Sequence, residues 1–331
     1  MRKPVVKIIV LFAMLLLVLG ASVLLYDFYD IASAPYDVGG YRENTVYVPS
    51  GGFNVPATAG QRNSPVPERV MFISPDHDDH IIVRMPPGDI FRGSLILINQ
   101  DHRFDIPEVW NYVSIEERKS LSYRAIGQDL LIGESVIEPL NAMLDSFYAE
   151  TGRDTVAVIS AFRTYERQQE ILNEYISLVG RLEALRWAAP PGHSEHHAGL
   201  AVDFGLFNNG VLRTFLGTGV YSWFRENSFN YGFILRFPDE KTDVTHTAYE
   251  PWHYRFVGLP HSYFIHNNGL CLEEYIELIM GYTRDEPFLG EFNGNTYEVY
   301  FTSDLEILIP FDCEFDISGN NIDGFIVTVR R

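Results

Sequence analysis

The chain alternates apolar stretches with polar breaks, and the pattern predicts its elements in order. Ile8 to Leu25 carries no charge and is almost wholly apolar. As a helix, such a run of 18 residues spans ~27 Å, close to the hydrocarbon thickness of a bilayer. From Ala34 to Arg92, Gly, Pro, Ser and Asn punctuate short β-prone runs: Thr45 to Val48, Val70 to Ile73 and Ile81 to Val83. Leu95 to Ile98 predicts a core strand. Glu134 to Thr151 has helical spacing, with Ile137, Leu140, Leu144, Phe147 and Tyr148 on one side and Gly152 as the stop. Val156 to Ser160 reads as a buried strand. It leads into a helix from about Tyr165 to Gly180 that buries Ile171, Leu172, Tyr175 and Leu178. Leu200 to Phe204 is a short apolar run behind turn residues, the pattern of a loop entering a buried strand. Beyond Pro260, Leu270 to Met280 predicts an amphipathic helix with Leu272, Tyr275, Ile276 and Ile279 apolar. Asn293-Gly294 is a hairpin signal, followed by β-like runs at Tyr297 to Phe301, Leu305 to Ile309 and Phe325 to Val329.

Charge orients the first apolar run. Arg2, Lys3 and Lys7 precede it, and Asp27 and Asp30 follow. The positive-inside rule puts the N-terminus in the cytoplasm and the bulk of the chain outside. A cleaved signal peptide is the rival, since Ala32-Ser33-Ala34 has the small-residue pattern. The run is longer than a usual signal core, however, and Pro35 would follow the cut, so a retained anchor is the reading adopted. The 331 residues allow a large core, or a core with an appendage, and a net charge of −19 argues against binding nucleic acid or an anionic lipid surface. Cys271 and Cys313 do not make a disulfide framework, and their pairing is left open. His77-Asp78-Asp79-His80 sits between two strand-like runs and reads as a solvated turn.

The chemistry concentrates in two stretches. Pro191 to Gly205 holds three histidines, His193, His196 and His197, followed by Asp203 inside an apolar run. A buried carboxylate needs a counter-charge or a metal, and His196 and Asp203 are able to face one point. The plain alternative is a polar loop and a core strand whose Asp is merely hydrogen-bonded. Tyr249 to Arg255 adds Glu250 and His253. That spacing would put them on opposite faces of a regular strand, but Pro251 disfavours a regular ladder, which leaves both free to enter one cleft. Two histidines, an aspartate and a further glutamate are the parts of a catalytic zinc site: three ligands, an open position for water, and a carboxylate to handle the proton. Arg163 follows the Val156 to Ser160 strand. Its guanidinium suits a substrate carboxylate or a developing oxyanion, with a structural ion pair as the alternative.

These residues also form ordered motifs. S-x-H-x-x-G-x-A-x-D is present as Ser194, His196, Gly199, Ala201 and Asp203, and E-x-x-H as Glu250 and His253. Tyr231 to Pro238 lies between them and Ser160 to Gln168 upstream. Over roughly Gly93 to Ser262 the chain resembles the VanY-type zinc D-alanyl-D-alanine carboxypeptidases, relatives of dipeptidases and lysostaphin-like enzymes with the same core. The resemblance implies Zn²⁺ held by His196, Asp203 and His253, with Glu250 as catalytic base and then acid. It implies substrate contacts from Arg163, Gln168 and Ser194, with Arg163 also supporting the transition state. The spacing to Asp203 matches His196 alone among the three histidines. His197 falls where relatives carry Gln or another polar residue. His246 falls where relatives tend to carry Gly, which makes it a candidate for contact with the substrate or a ligand. Trp252 is read as core or cleft wall.

The fold expected is α+β, an antiparallel sheet flanked by helices with zinc in a surface cleft, plus an N-terminal transmembrane helix and a small C-terminal β-appendage. The expected divisions are 1–26, cytoplasmic tip and anchor; 27–92, a β-prone spacer; 93–262, the catalytic domain; and 263–331, a helix with the β-appendage. The expected activity is removal of the C-terminal D-Ala from peptidoglycan stem peptides by a single-pass membrane protein with its catalytic domain outside the cell. Alternatives are an L,D-carboxypeptidase or a peptidoglycan endopeptidase of the same fold, or a non-catalytic wall-binding protein. The intact His-Asp-Glu-His set argues against the last, because a binder has no need of Glu250.

Overall fold

The computed structural model describes residues 70–73, 79–107 and 111–331. The apolar run at Ile8 to Leu25, the run at Thr45 to Val48, and His77 and Asp78 lie outside them. Among the described residues no helix is long and apolar enough to cross a membrane.

A mixed α/β unit is built on the strand Ala201–Asn208. Across the sheet the order is Arg124–Ala125, Val156–Ser160, Ala201–Asn208, His253–Phe256 and Phe233–Leu235, with Val211–Thr214 also paired to Ala201–Asn208. The pairings are antiparallel except that of Arg124–Ala125 with Val156–Ser160. Side chains alternate along a strand. Val202 and Phe204 enter the main core, where they meet Val136, Ile137, Leu140, Leu144 and Phe147 of the helix Glu134–Thr151. Asp203, between them in sequence, is thereby turned to the opposite face. That helix ends where the sequence predicts, at Gly152, whose left-handed φ of 66° closes the last turn onto Tyr148 O.

Register then selects the neighbours of Asp203. His253 stands opposite it in one ladder and Ser160 in the other. Residues directly opposite in antiparallel strands share a face. The pairing with Val156–Ser160 is irregular between Val158 and Ser160. An extra residue of this kind re-aims the side chains beyond it.

The tail forms two small sheets. One runs Phe288–Phe292, Asn295–Thr302, Phe325–Arg330, Glu314–Gly319, with Asn293 and Gly294 at φ 50° and 75° in the hairpin turn. The other runs Val70–Ile73, His80–Arg84, Glu306–Pro310. Its central strand comes from the expected spacer and its third from the tail. Val83 and Met85 pack with Ile307, Ile309, Ile317 and Val327 in one core. The described end of region 27–92 is therefore integrated with the tail, because its apolar side chains have their partners there. A further core, with Leu95, Leu97, Ile234, Phe264, Leu272, Ile276, Val299 and Ile326, runs across the expected boundary at 262.

Three expectations need correction. Leu95 to Ile98 is buried but is no strand. Leu95 and Leu97 enter one core and Ile96 and Ile98 another, as an extended chain requires. The backbone partners are irregular, however: Leu95 N–H donates to Ser318 Oγ, Leu97 N–H to Asn320 O, and Arg255 to the carbonyls of Ser94 and Ile96. Tyr148 is 46% exposed, standing one residue past the buried Phe147 and so rotated off the apolar stripe. Leu178 is 44% exposed, although Leu172 and, partly, Ile171 and Tyr175 of its helix, Tyr165–Val179, are covered. The predicted tail helix forms as Leu272–Met280, with all four of its expected residues buried. Cys271 and Cys313 are both free.

Candidate metal centre and active site

His196 lies on the 3₁₀ turn Glu195–Ala198, between Ser194 and Gly199. Gly199 ends the turn at φ 63°. A Cβ there would lie 2.9 Å from Gly133 N and 2.6 Å from the Tyr112 ring, so the motif position admits only glycine. The His196 ring is oriented by a carbonyl: Nδ1 meets Ala161 O, which can only accept. Nδ1 therefore carries the proton, and the Nε2 lone pair points to Asp203 Oδ2 at 3.3 Å. His253, the first residue of its strand, places Nδ1 2.9 Å from Asp203 Oδ1 and Nε2 3.3 Å from Glu195 Oε2.

One donor atom from each of His196, Asp203 and His253 lies within 4.8 Å of the others, and all three residues are buried. Two imidazole nitrogens and one carboxylate oxygen suit zinc better than magnesium or calcium, which take mostly oxygen ligands. The residues also have lone pairs to offer. Burial pushes His196 down to about 4, which keeps it neutral. Burial works against the charge on Asp203, but His196 and Arg163 outweigh it and hold the carboxyl well below its usual range.

Glu250 enters the same cavity because the chain before His253 is a turn, not a strand. His253 N–H donates to Glu250 O at 3.1 Å, which brings the two side chains to one side, with Glu250 Oε2 4.0 Å from His253 Nδ1. Burial lifts the Glu250 carboxyl to about 8.

Arg163 is braced from three sides. Its Nε donates to Ser160 Oγ at 2.8 Å, one terminal nitrogen to Gln168 Oε1 at 3.4 Å, and the other to Asp203 Oδ2. Gln168 is buried and donates to Ala189 O at 2.8 Å. Ser194 is buried at the start of the histidine turn. The structure thus gathers His196, Asp203, His253, Glu250, Arg163 and Gln168 into one contact network, with Ser194 two residues from His196.

The other histidines are elsewhere. His197 Nδ1–H donates to Arg163 O at 2.7 Å, and its Nε2 accepts from Gly192 N–H at 3.0 Å, so it fastens the loop to the Arg163 backbone. His193 bonds Asn99 O at 2.8 Å. His246 caps a short helix at φ 56°, a left-handed position where glycine has no steric cost. It lines a separate cavity of about 300 Å³ with Asn99, His102 and Glu273, so it does not join the six residues above.

Sequence reasoning missed a second layer behind His253. Glu195 Oε1 accepts from Arg236 Nε at 2.7 Å and from an Arg255 terminal nitrogen at 2.8 Å. Arg236 then forks onto Glu273 at 2.8 and 2.6 Å. Both arginines are 0% exposed. The available signal was a pair of arginines set in apolar runs, Phe233 to Phe237 and His253 to Val257, since a buried guanidinium requires a carboxylate.

Burial alone would lower the basicity of His253. Its hydrogen bonds to Asp203 and Glu195, together with their charges, outweigh that and raise it to about 9. In the metal-free chain Nδ1 is therefore protonated at neutral pH, and a metal must displace that proton. Zinc binding at about pH 7 is expected to release one proton from His253 and a further fraction of one from Glu250, whose carboxyl burial lifts to about 8. Apparent affinity should rise by at least ~tenfold per pH unit between about pH 6 and 8, as measured by chelator competition. Affinity that is flat across this range would contradict the arrangement.

The profile of the VanY family, described as D-alanyl-D-alanine carboxypeptidase, matches residues 130–259. The D-alanyl-D-alanine carboxypeptidase of Enterococcus faecium is 32% identical over 247 residues, which is 72% of this chain and 76% of that protein. The crystal structure of the vancomycin-resistance D,D-dipeptidase VanXYg, in complex with a D-Ala-D-Ala phosphinate analogue, superposes with a TM-score of 0.68 at 30% identity, covering 76% of this chain and 99% of the other. A VanY D,D-pentapeptidase from a VanB-type resistance cassette, crystallised with Zn(II), is 34% identical over 55% of this chain and 98% of the other, with a TM-score of 0.47. Family profile and enterococcal relative agree with the motif residues described above: the chain belongs to the VanY family of D-alanyl-D-alanine carboxypeptidases.

Proposed function

We propose that this chain is a zinc-dependent D,D-carboxypeptidase that removes the terminal D-Ala from pentapeptide stems of peptidoglycan. The observation that carries the reading is the buried Glu250 carboxylate, 4.0 Å from the nitrogen of His253 that faces Asp203. A ligand set needs no fourth acid beside it; hydrolysis does. Zinc, when bound by His196, Asp203 and His253, supplies Lewis acidity and a water of lowered pKa. Glu250 would take a proton from the attacking water on its carboxylate and return it to the nitrogen of the departing D-Ala. Its basicity suits that task. Burial raises the carboxyl to about 8, and a cation beside it favours the ionised form.

Arg163 is braced by Ser160 and Gln168. That bracing suits a guanidinium that meets the substrate's terminal carboxylate or the oxyanion with little loss of side-chain freedom. Gln168 and Ser194 are the further polar contacts proposed for the peptide. Residues 1–26 act as a retained single-pass anchor that holds the catalytic unit outside the cell, close to a wall substrate. The support for this is the uncharged run Ile8 to Leu25 and the flanking charges.

The test of substrate is mass spectrometry of a synthetic stem pentapeptide ending D-Ala-D-Ala, compared with the same peptide amidated at its C-terminus. Loss of one D-Ala from the free acid only is expected. Equal cutting of both, or an internal cut, would favour an endopeptidase, and preference for a tetrapeptide would favour L,D-trimming. In the same assay Glu250→Gln should lower turnover by ~10²–10⁴-fold while zinc stays bound. For topology, protease added to intact cells should degrade the chain beyond Tyr26, and a protected catalytic unit would refute the placement.

A further inference from the structure

An imidazole offers a metal only the nitrogen that carries no proton, so something must decide which nitrogen that is. His196 and His253 present different nitrogens to Asp203: Nε2 from the first and Nδ1 from the second. For His196 the selector is Ala161 O. For His253 it is a charged side chain, Glu195, whose Oε2 lies 3.3 Å from Nε2 on the side of the ring away from Asp203. Glu195 is 3% exposed. Its other oxygen is taken by Arg236 and Arg255 at 2.7 and 2.8 Å. Arg236 is in turn held by Glu273, and Arg255 by the carbonyls of Ser94 and Ile96 at 3.0 and 2.8 Å. With those donors fixed, Oε2 is directed at the imidazole.

We propose that Glu195 is a positioning residue that holds zinc-bound His253 as the Nε2–H tautomer, so that the Nδ1 lone pair faces the position shared with His196 and Asp203. The inference rests on the zinc reading above. Without an acceptor at Nε2, the neutral ring can move its proton to Nδ1 and donate it to Asp203 Oδ1, only 2.9 Å away. That arrangement closes two ligands at once, one by protonation and one by hydrogen bonding. An ionised carboxylate opposes it more strongly than a neutral acceptor, because hydrogen bonds to charged acceptors are the stronger ones. The cost of burying that carboxylate is offset by the two guanidiniums. A merely structural Glu195 would serve as counter-ion to the arginines and leave the tautomer to chance.

The zinc-affinity comparison separates these roles without using turnover, and a ring spectrum checks the ligation through Nδ1 that it presumes. The spectrum is a long-range ¹H–¹⁵N correlation of the histidine rings in the zinc-loaded wild-type chain. The proposal predicts a proton on Nε2 of His253 and on Nδ1 of His196; a proton on Nδ1 of His253 overturns it. The comparison measures zinc affinity by chelator competition in Glu195→Gln, with Glu273→Gln as the reference. The latter breaks the same buried network one step further out and leaves the His253 contact in place. Measured above about pH 9, where protons compete little for His253 Nδ1 in either protein, Glu195→Gln should bind zinc ~10–100-fold more weakly. Glu273→Gln should melt at lower temperature yet hold zinc like the wild type. Wild-type affinity in folded Glu195→Gln, or equal weakening in both variants, overturns the proposal. If Glu195→Gln does not fold, Glu195→Asp takes its place: it keeps the counter-charge but withdraws the oxygen from Nε2, and wild-type zinc affinity in that variant overturns the proposal. A wild-type chain that holds no zinc overturns the zinc reading itself, and this inference with it.

Discussion

A carboxylate buried on one face of a sheet is the constraint around which this molecule is arranged. Asp203 is 6% exposed, and an unpaired charge at that depth would cost several kcal/mol or more. Its neighbours therefore come from every direction the fold allows. His253 reaches it across one ladder, and Arg163 from the end of the strand across the other. His196 comes from the turn before its own strand. The same convergence that satisfies the carboxylate in the metal-free chain creates the metal site. Arg163 and protonated His253 supply the positive charge in the metal-free chain.

Behind this centre, Glu195, Arg236 and Arg255 are buried together, and the half-buried Glu273 closes the network. Buried ion pairs are weak sources of net stability, so a core of apolar residues would serve folding as well. What an apolar core cannot supply is a directed acceptor behind His253. The elements that carry these four charges are the histidine turn, two sheet strands or their ends, and the first turn of the Leu272–Met280 helix. The network thus ties the tail's helix to the rear of the site, and the apolar core shared by the two regions runs in the same direction.

Much of this was legible in the sequence where the determinant is local. The helix Glu134–Thr151 follows from spacing and a glycine stop, and the hairpin at Asn293-Gly294 from the positive φ its turn requires. The motif residues were legible because S-x-H-x-x-G-x-A-x-D is itself a short piece of structure: a turn, a left-handed glycine and an alternating strand. Non-local determinants were not legible. Leu95 to Ile98 looks like a strand, but the acceptors of its Leu95 and Leu97 N–H groups sit more than two hundred residues away, in and beside a segment, Glu314–Gly319, that was not read as a strand. The pairing of His80–Arg84 with Glu306–Pro310 is hidden for the same reason. Glu195 is adjacent to a recognised ligand, yet its role depends on arginines 41 and 60 residues away in sequence. His246 drew attention as an unexpected histidine, and the backbone shows instead why glycine is favoured at that position.

The central claim is that the buried Asp203 carboxylate, with one nitrogen from each of two histidines, forms a single zinc site. An anomalous difference map from a zinc-loaded crystal, measured on both sides of the zinc absorption edge, tests it most directly. The account predicts one strong peak per chain, bounded by His196 Nε2, an Asp203 carboxylate oxygen and His253 Nδ1. A peak at His246 and His102, or Arg163 still paired with Asp203 and no peak between the two histidines, would contradict it.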